Sequence, residues 1–300
     1  MERNSREMNE EKICVIAGMP RAATTFLYHT LQNHPHIFIP SRKEMDFFSV
    51  NYYRGIKWYS QFFQDMLEDQ LGFDISPMYF LEPKAAERIK NFNPDIKVIL
   101  MIREPVGWIF SLHQHMQKKS YQTLEFEKFL RSFSYKKDGK ILNCSFGSNS
   151  VKNYLDNYRN VFGDNLLLCD YKVMNQSPVN LLNSIEKFIS VPVFFTENNF
   201  ENVIINASSD KSSKIMNILM QQKFFADMVT KFFPKKLILS VRYKMQSSNK
   251  ISKEAQVKNP IKDKFINIVK DLYVQDIDYI NRLFDKSSFV LGTGNSFDPS

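Results

Sequence analysis

Gly18-Met19-Pro20-Arg21-Ala22-Ala23-Thr24-Thr25 lies between an apolar run, Ile13 to Ala17, and a segment in which Leu27 and Leu31 recur four residues apart. A short β-branched run closed by glycine reads as a buried parallel strand, and the leucine spacing headed by threonines reads as a helix. At such a junction the free backbone N–H groups and the helix dipole bind an anion. Arg21 adds a fixed cation and the two threonines add hydroxyl donors, so a phosphate fits the stretch Pro20, Arg21, Ala22, Ala23, Thr24 and Thr25. Arg103-Glu104-Pro105 follows a second apolar strand, Lys97 to Ile102, with Ser111 eight residues beyond the arginine. Two anion sites at the carboxyl ends of strands in one sheet suit a ligand phosphorylated at both ends.

The first loop occupies the position of the G-x-x-x-x-G-K-[ST] triphosphatase loop but departs from it twice. Ala23 replaces the second glycine and Thr24 the lysine, while the strand ending at Ile102 is followed by Arg103 and not by a magnesium-binding aspartate. A donor handled without metal fits better than a nucleoside triphosphate, and no metal site is expected. His29, His34, His36, His113 and His115 have no convincing metal-ligand spacing. His113 and His115, two residues apart on an expected helix, do not share a face.

These residues need a scaffold. Leu71 to Ile75 reads as a further strand, Glu82 to Asn91 as a helix, and Phe110 to Lys119, Leu124 to Phe133 and Val151 to Phe162 as helices. Asn165 to Cys169 is a fourth strand before a helix from Val179 to Ile189. Strands alternating with helices predict an α/β fold with a central, mostly parallel sheet. The 300 residues at 43% hydrophobic content predict a single domain. Residues 1–11 read as a polar N-terminal tail, 195–260 as a substrate or lid region and 262–284 as a C-terminal helix. Trp58, Tyr59 and the pairs Phe224-Phe225 and Phe232-Phe233 read as core.

The ordered set Gly18 to Thr25, His34-Pro35, Lys43-Glu44-Met45-Asp46-Phe47-Phe48, Gly55-Ile56-Lys57-Trp58-Tyr59 and Arg103-Glu104-Pro105 with Ser111 resembles the sulfotransferase family. The likeness is to its heparan-type branch, the glycosaminoglycan N- and O-sulfotransferase domains and their bacterial relatives, over about residues 12 to 190. The resemblance implies a P-loop-like three-layer fold and the donor 3′-phosphoadenosine 5′-phosphosulfate, with adenosine 3′,5′-bisphosphate as product. It places the 5′-phosphosulfate on the first loop and the 3′-phosphate on Arg103 and Ser111. It makes Glu44 of the K-E-x-x-F-F motif the general base and gives Arg21 the place of the loop's catalytic lysine.

Two positions depart from the family. Ile75 precedes Ser76-Pro77-Met78-Tyr79-Phe80 where O-sulfotransferase relatives carry a lysine, and Trp108 stands where a second arginine precedes the serine. Acceptor contacts are assigned to Asp46, Phe48, Asp74 and Tyr79. Ile75 beside Asp74 and Asp46 favours a neutral or cationic small acceptor, sulfated on a hydroxyl or secondarily on an amine; a secondary metabolite such as an alkaloid toxin is one such acceptor. A carbohydrate or glycosaminoglycan-like acceptor is the alternative, and a non-catalytic nucleotide-binding protein is the alternative of another class. A small-molecule kinase is disfavoured by the missing glycine-lysine pair.

The net charge of +8 is concentrated between Lys211 and Lys270, where 14 Lys/Arg face three acidic residues. Such a run reads as a solvated face, and no nucleic-acid partner is expected. Asn206 to Ser212 reads as a loop before a helix at Ile215. Three cysteines without C-x-x-C spacing, no apolar leader and no stretch of 18 apolar residues predict a reduced, cytoplasmic protein without a membrane partner.

Overall fold

The computed structural model describes residues 12–120, 125–200 and 260–298. The expected tail at 1–11, the basic run up to residue 259, the Asn206 to Ser212 loop, the helix from Ile215 and the Phe224-Phe225 and Phe232-Phe233 pairs lie outside the described residues. Of the expected lid region, residues 195–200 and 260 are described, and Phe195 and Phe200 are buried in the core.

A six-stranded sheet organises the chain, with strand order β2-β3-β1-β4-β7-β8. Its members are β1 (Ile13–Gly18), β2 (Ile37–Phe38), β3 (Leu71–Ile75), β4 (Lys97–Ile102), β7 (Leu166–Asp170) and β8 (Phe289–Leu291). The first five are parallel and β8 pairs antiparallel to β7. The runs ICVIAG and KVILMI are almost entirely buried, as expected of parallel strands covered on both faces. Flanking helices are α1 (Thr24–Leu31), α2 (Ile56–Ser60), α3 (Ala85–Phe92), α4 (Pro105–Ser120), α5 (Phe126–Arg131), α6 (Ser150–Phe162), α7 (Tyr171–Gln176) and α8 (Pro178–Ile189). Near the C-terminus follow α9 (Pro260–Leu272) and α10 (Val274–Leu283).

Two expectations are corrected. The helix expected over 262–284 is two helices separated at Tyr273, which is fully buried. Asp276, in the first turn of α10, accepts the backbone N–H groups of Asn149 and Lys152 and so docks α10 on the start of α6. The helix expected to end at Phe133 stops at Arg131, and the chain enters a hairpin of β5 (Ser132–Lys137) and β6 (Lys140–Ser145). Phe133 and Tyr135 are buried while Ser132, Ser134 and Lys136 are not, the period of two that a half-buried strand requires. Asp138 and Gly139 close the hairpin with φ of 48° and 77°, the pattern of a type I′ turn.

All three cysteines, Cys14, Cys144 and Cys169, are buried and free. Burial pushes the Cys14 and Cys144 thiols up to about 12. No helix among the described residues is long and apolar enough to cross a membrane.

Candidate active site

The chain runs from β1 to β2 and β3 on one side of β1, then crosses to β4 on the other. This reversal of strand order places a crevice at the carboxyl ends of β1 and β4, where open α/β sheets bind ligands. The loop of residues 18–25 leaves β1 there, and Arg103 leaves β4 beside it. Gly18 is needed for close approach: a Cβ there would meet the Phe80 Cβ at 2.5 Å. Arg21 and Ala23 hold positive φ, 68° and 64°. For residues with a Cβ this costs on the order of 1–2 kcal/mol each and is held by the surroundings. Ala23 is the N-cap of α1 and offers no side-chain acceptor, so the helix start is open to an external anion.

The two expected anion sites are joined. Arg21 Nε donates to Ser111 Oγ at 3.3 Å, and Arg103 Nη1 donates to the Arg21 carbonyl at 2.9 Å. The Arg103 guanidinium lies 4.7 Å from the centre of the Tyr171 ring. Glu104 does not pair with it; its carboxylate caps α4 by accepting the N–H groups of Val106 and Gly107 at 2.8 and 2.5 Å. Burial, and secondly the charge of Arg103, depress the Arg21 pKa. The mouth of the loop is therefore electropositive.

Trp108, in place of the family's second arginine, is fully buried, and its Nε1 donates to the Pro20 carbonyl at 2.8 Å. It braces the first loop from beneath. Lys43 was not singled out from sequence, yet its Nζ lies 2.6 Å from Thr25 Oγ1 and 3.7 Å from Glu44 Oε1. It links the anion loop to the expected base. Glu44 is partly exposed and also acts electrostatically on Arg21.

The four expected acceptor contacts are not on the surface. Phe48 is fully buried, edge-on to Tyr59, Tyr79 and Phe92 at 5.4 to 5.6 Å. Asp74 is fully buried and accepts from Ser76 and Tyr79 at 2.6 Å each and from Tyr59 at 3.2 Å. Burial raises its pKa against those bonds. Tyr79 is therefore a core donor and not an acceptor contact. Asp46, also fully buried, pairs with Lys137 at 2.8 Å and accepts from Tyr135 at 2.9 Å. Ile75 is buried as well. The acidic surface expected from Asp46 and Asp74 is therefore turned inward, and Asp46 is paired with a lysine supplied by the hairpin.

His113 is buried between Phe126 and Phe129 at 5.0 and 5.1 Å, a packing role. His34 is buried beside Glu186 and the Pro192 carbonyl. Among the described residues no group of three or more His, Cys, Asp or Glu could hold a metal ion.

The fold is that of an α/β protein with a P-loop-like architecture and a mostly parallel central sheet flanked by helices. Residues 11–265 match the Sulfotransferase domain family, and the chain belongs to the sulfotransferase family. It is 25% identical over 192 residues to the Mus musculus heparan sulfate glucosamine 3-O-sulfotransferase 5, covering 59% of this chain and 53% of that protein. It is 37% identical over 95 residues to the Dictyostelium discoideum membrane-associated sulfotransferase kil1, covering 31% of this chain and 20% of that protein. The chain thus spans about half or less of the length of these curated relatives. A sulfotransferase from Alicyclobacillus acidocaldarius has the same fold, with a TM-score of 0.50 at 20% identity over 70% of this chain and 93% of that one.

Proposed function

We propose that this chain transfers a sulfuryl group from 3′-phosphoadenosine 5′-phosphosulfate to a hydroxyl group, leaving adenosine 3′,5′-bisphosphate. The observation that carries the reading is the joining of two anion sites by Arg21, with Ser111 at its Nε and Arg103 at its carbonyl. A doubly phosphorylated nucleotide suits the loop better than a triphosphate, since the loop lacks the glycine-lysine pair. Residues 20–25 would hold the 5′ end, and Arg103 and Ser111 the 3′-phosphate.

The bound donor supplies the sulfuryl group. Glu44 takes the acceptor's hydroxyl proton as the acceptor oxygen bonds to sulfur and the sulfur–oxygen bond to phosphate breaks. Arg21, the loop amides and Lys43 hold the negative charge left on the phosphate side, an electrostatic and positioning role.

The case for a cationic small acceptor loses its support once Asp46 and Asp74 are buried. Tyr52 and Tyr53, which follow the Glu44 segment in the chain, are 43% and 58% exposed. Arg54 and Lys140 lie over the Tyr53 ring and Arg42 over Trp58. These cations beside exposed aromatic rings favour an acceptor that carries negative charge, such as an acidic carbohydrate. The test is calorimetric titration with adenosine 3′,5′-bisphosphate, then a radiolabelled-sulfate screen of sugars, small alcohols and amines. No nucleotide binding overturns the donor; transfer only to small alcohols or amines overturns the carbohydrate; binding without transfer to any acceptor or to water marks a non-catalytic binder.

A further inference from the structure

The hairpin β5-β6 belongs to none of the motifs that carry the family resemblance, yet its tip grips the segment that contains Glu44. Lys137, the last residue of β5, sets its ammonium 2.8 Å from Asp46 Oδ2 and donates to the Glu44 carbonyl. Tyr135, two residues earlier on the same face, donates to the same Asp46 oxygen. Asp138, the next residue, pairs with Arg42 and accepts from Asn51 Nδ2 at 3.0 Å. The tip thus holds the loop before, at and after Glu44.

The gripped loop is one that does not hold its own shape. Glu44 and Asp46 both have positive φ, 56° and 51°, a conformation that side-chain-bearing residues keep only when neighbours enforce it. Lys137 touches both of them: the backbone of one and the carboxylate of the other. Asp46 is fully buried, so its carboxylate depends on this partner.

We infer that Lys137 is a positioning residue for Glu44, anchoring the base's backbone and neutralising the buried carboxylate beside it, so that sulfuryl transfer requires the hairpin tip to be docked. The inference rests on the reading of Glu44 as the base.

The experiment compares wild type, Lys137→Met, Lys137→Arg and the double variant Lys137→Met/Asp46→Asn in the full chain. Each is measured for single-turnover transfer, acceptor KM, adenosine 3′,5′-bisphosphate affinity and thermal unfolding. Lys137→Met is expected to lower kcat by about 100-fold, the usual scale for a misplaced catalytic group, with nucleotide affinity unchanged within twofold. Lys137→Arg, which retains charge and donors, is expected to recover most of the loss. The double variant removes the unpaired buried carboxylate, so it folds even where the single variant does not, and it keeps the kcat deficit because the Glu44 anchor is still missing. Wild-type kcat in the double variant, or a Lys137→Met deficit that follows only the folded fraction, overturns the inference. Failure of the wild type to bind the nucleotide overturns the donor assignment instead, and an unaffected Glu44→Gln variant overturns the base.

Discussion

Arg21 Nε donates to Ser111 Oγ across 3.3 Å, tying the loop after β1 to the helix after β4. In the proposed function this guanidinium serves both halves of the donor cradle, and the halves can be separated by substitution. Arg21→Ala should lower kcat/KM by about 10²–10³, the scale for removing one donor that stabilises developing negative charge. Ser111→Ala should weaken adenosine 3′,5′-bisphosphate with a smaller effect on kcat. Equal effects of the two on kcat in single-turnover assays would contradict this division of labour. Arg21→Lys keeps the charge but not the fork that reaches Ser111, so it should recover only part of the rate.

Glu44→Gln keeps the shape of the side chain and removes its capacity to take a proton. The expected result is a loss of about 10²–10⁴ in kcat with nucleotide affinity unchanged. Calorimetry and initial rates on the same preparation check it, and full turnover in this variant would assign the base elsewhere.

Trp108 is fully buried beneath the anion loop. Its indole satisfies the Pro20 carbonyl beneath the anion loop. Trp108→Phe should cost about 1–3 kcal/mol in denaturant unfolding, the penalty of leaving a buried acceptor unpaired. Nucleotide affinity should fall with it, because the unbraced loop has to be ordered on binding. A variant equally stable and equally tight would show that the hydrogen bond braces nothing.

The strands that build the cradle were legible residue by residue: β3 and β4 coincide with the apolar runs, and β1 with Ile13 to Ala17 plus the following glycine. Parallel strands buried on both faces leave an unbroken apolar signal, and the loop between them carries its own chemistry in Arg21 and the threonines. The hairpin is hidden in the sequence, although Asp138-Gly139 between alternating residues is a strong turn signal. The apolar spacing of Phe126, Phe129, Leu130 and Phe133 continues a helical period past Arg131, where the helix ends. Orientation was the other blind spot. Motif position places Phe48, Asp74 and Tyr79 near the site but does not say that they point inward, and an ion pair between Asp46 and Lys137, 91 positions apart, leaves no local trace.

That ion pair also governs how stability responds to pH. Burial raises the Asp46 pKa from 3.8 to about 6, opposed by Lys137 and the Tyr135 hydroxyl and aided by Glu44. A carboxyl group whose pKa is raised by folding keeps its proton in the native state at pH values where the unfolded chain has lost it. The native state then binds more protons, and stability falls as pH rises between the two values. The contribution is fully present below pH 3.8, is lost through about pH 6 and is flat above. Asp74 adds a slope of the same sign, since burial raises it too. Asp46→Asn should therefore flatten, without abolishing, the decline in unfolding free energy between pH 4 and 6, measured by urea titration at several pH values. A steeper decline in that variant would mean that Lys137 holds Asp46 ionised in the native state throughout this range.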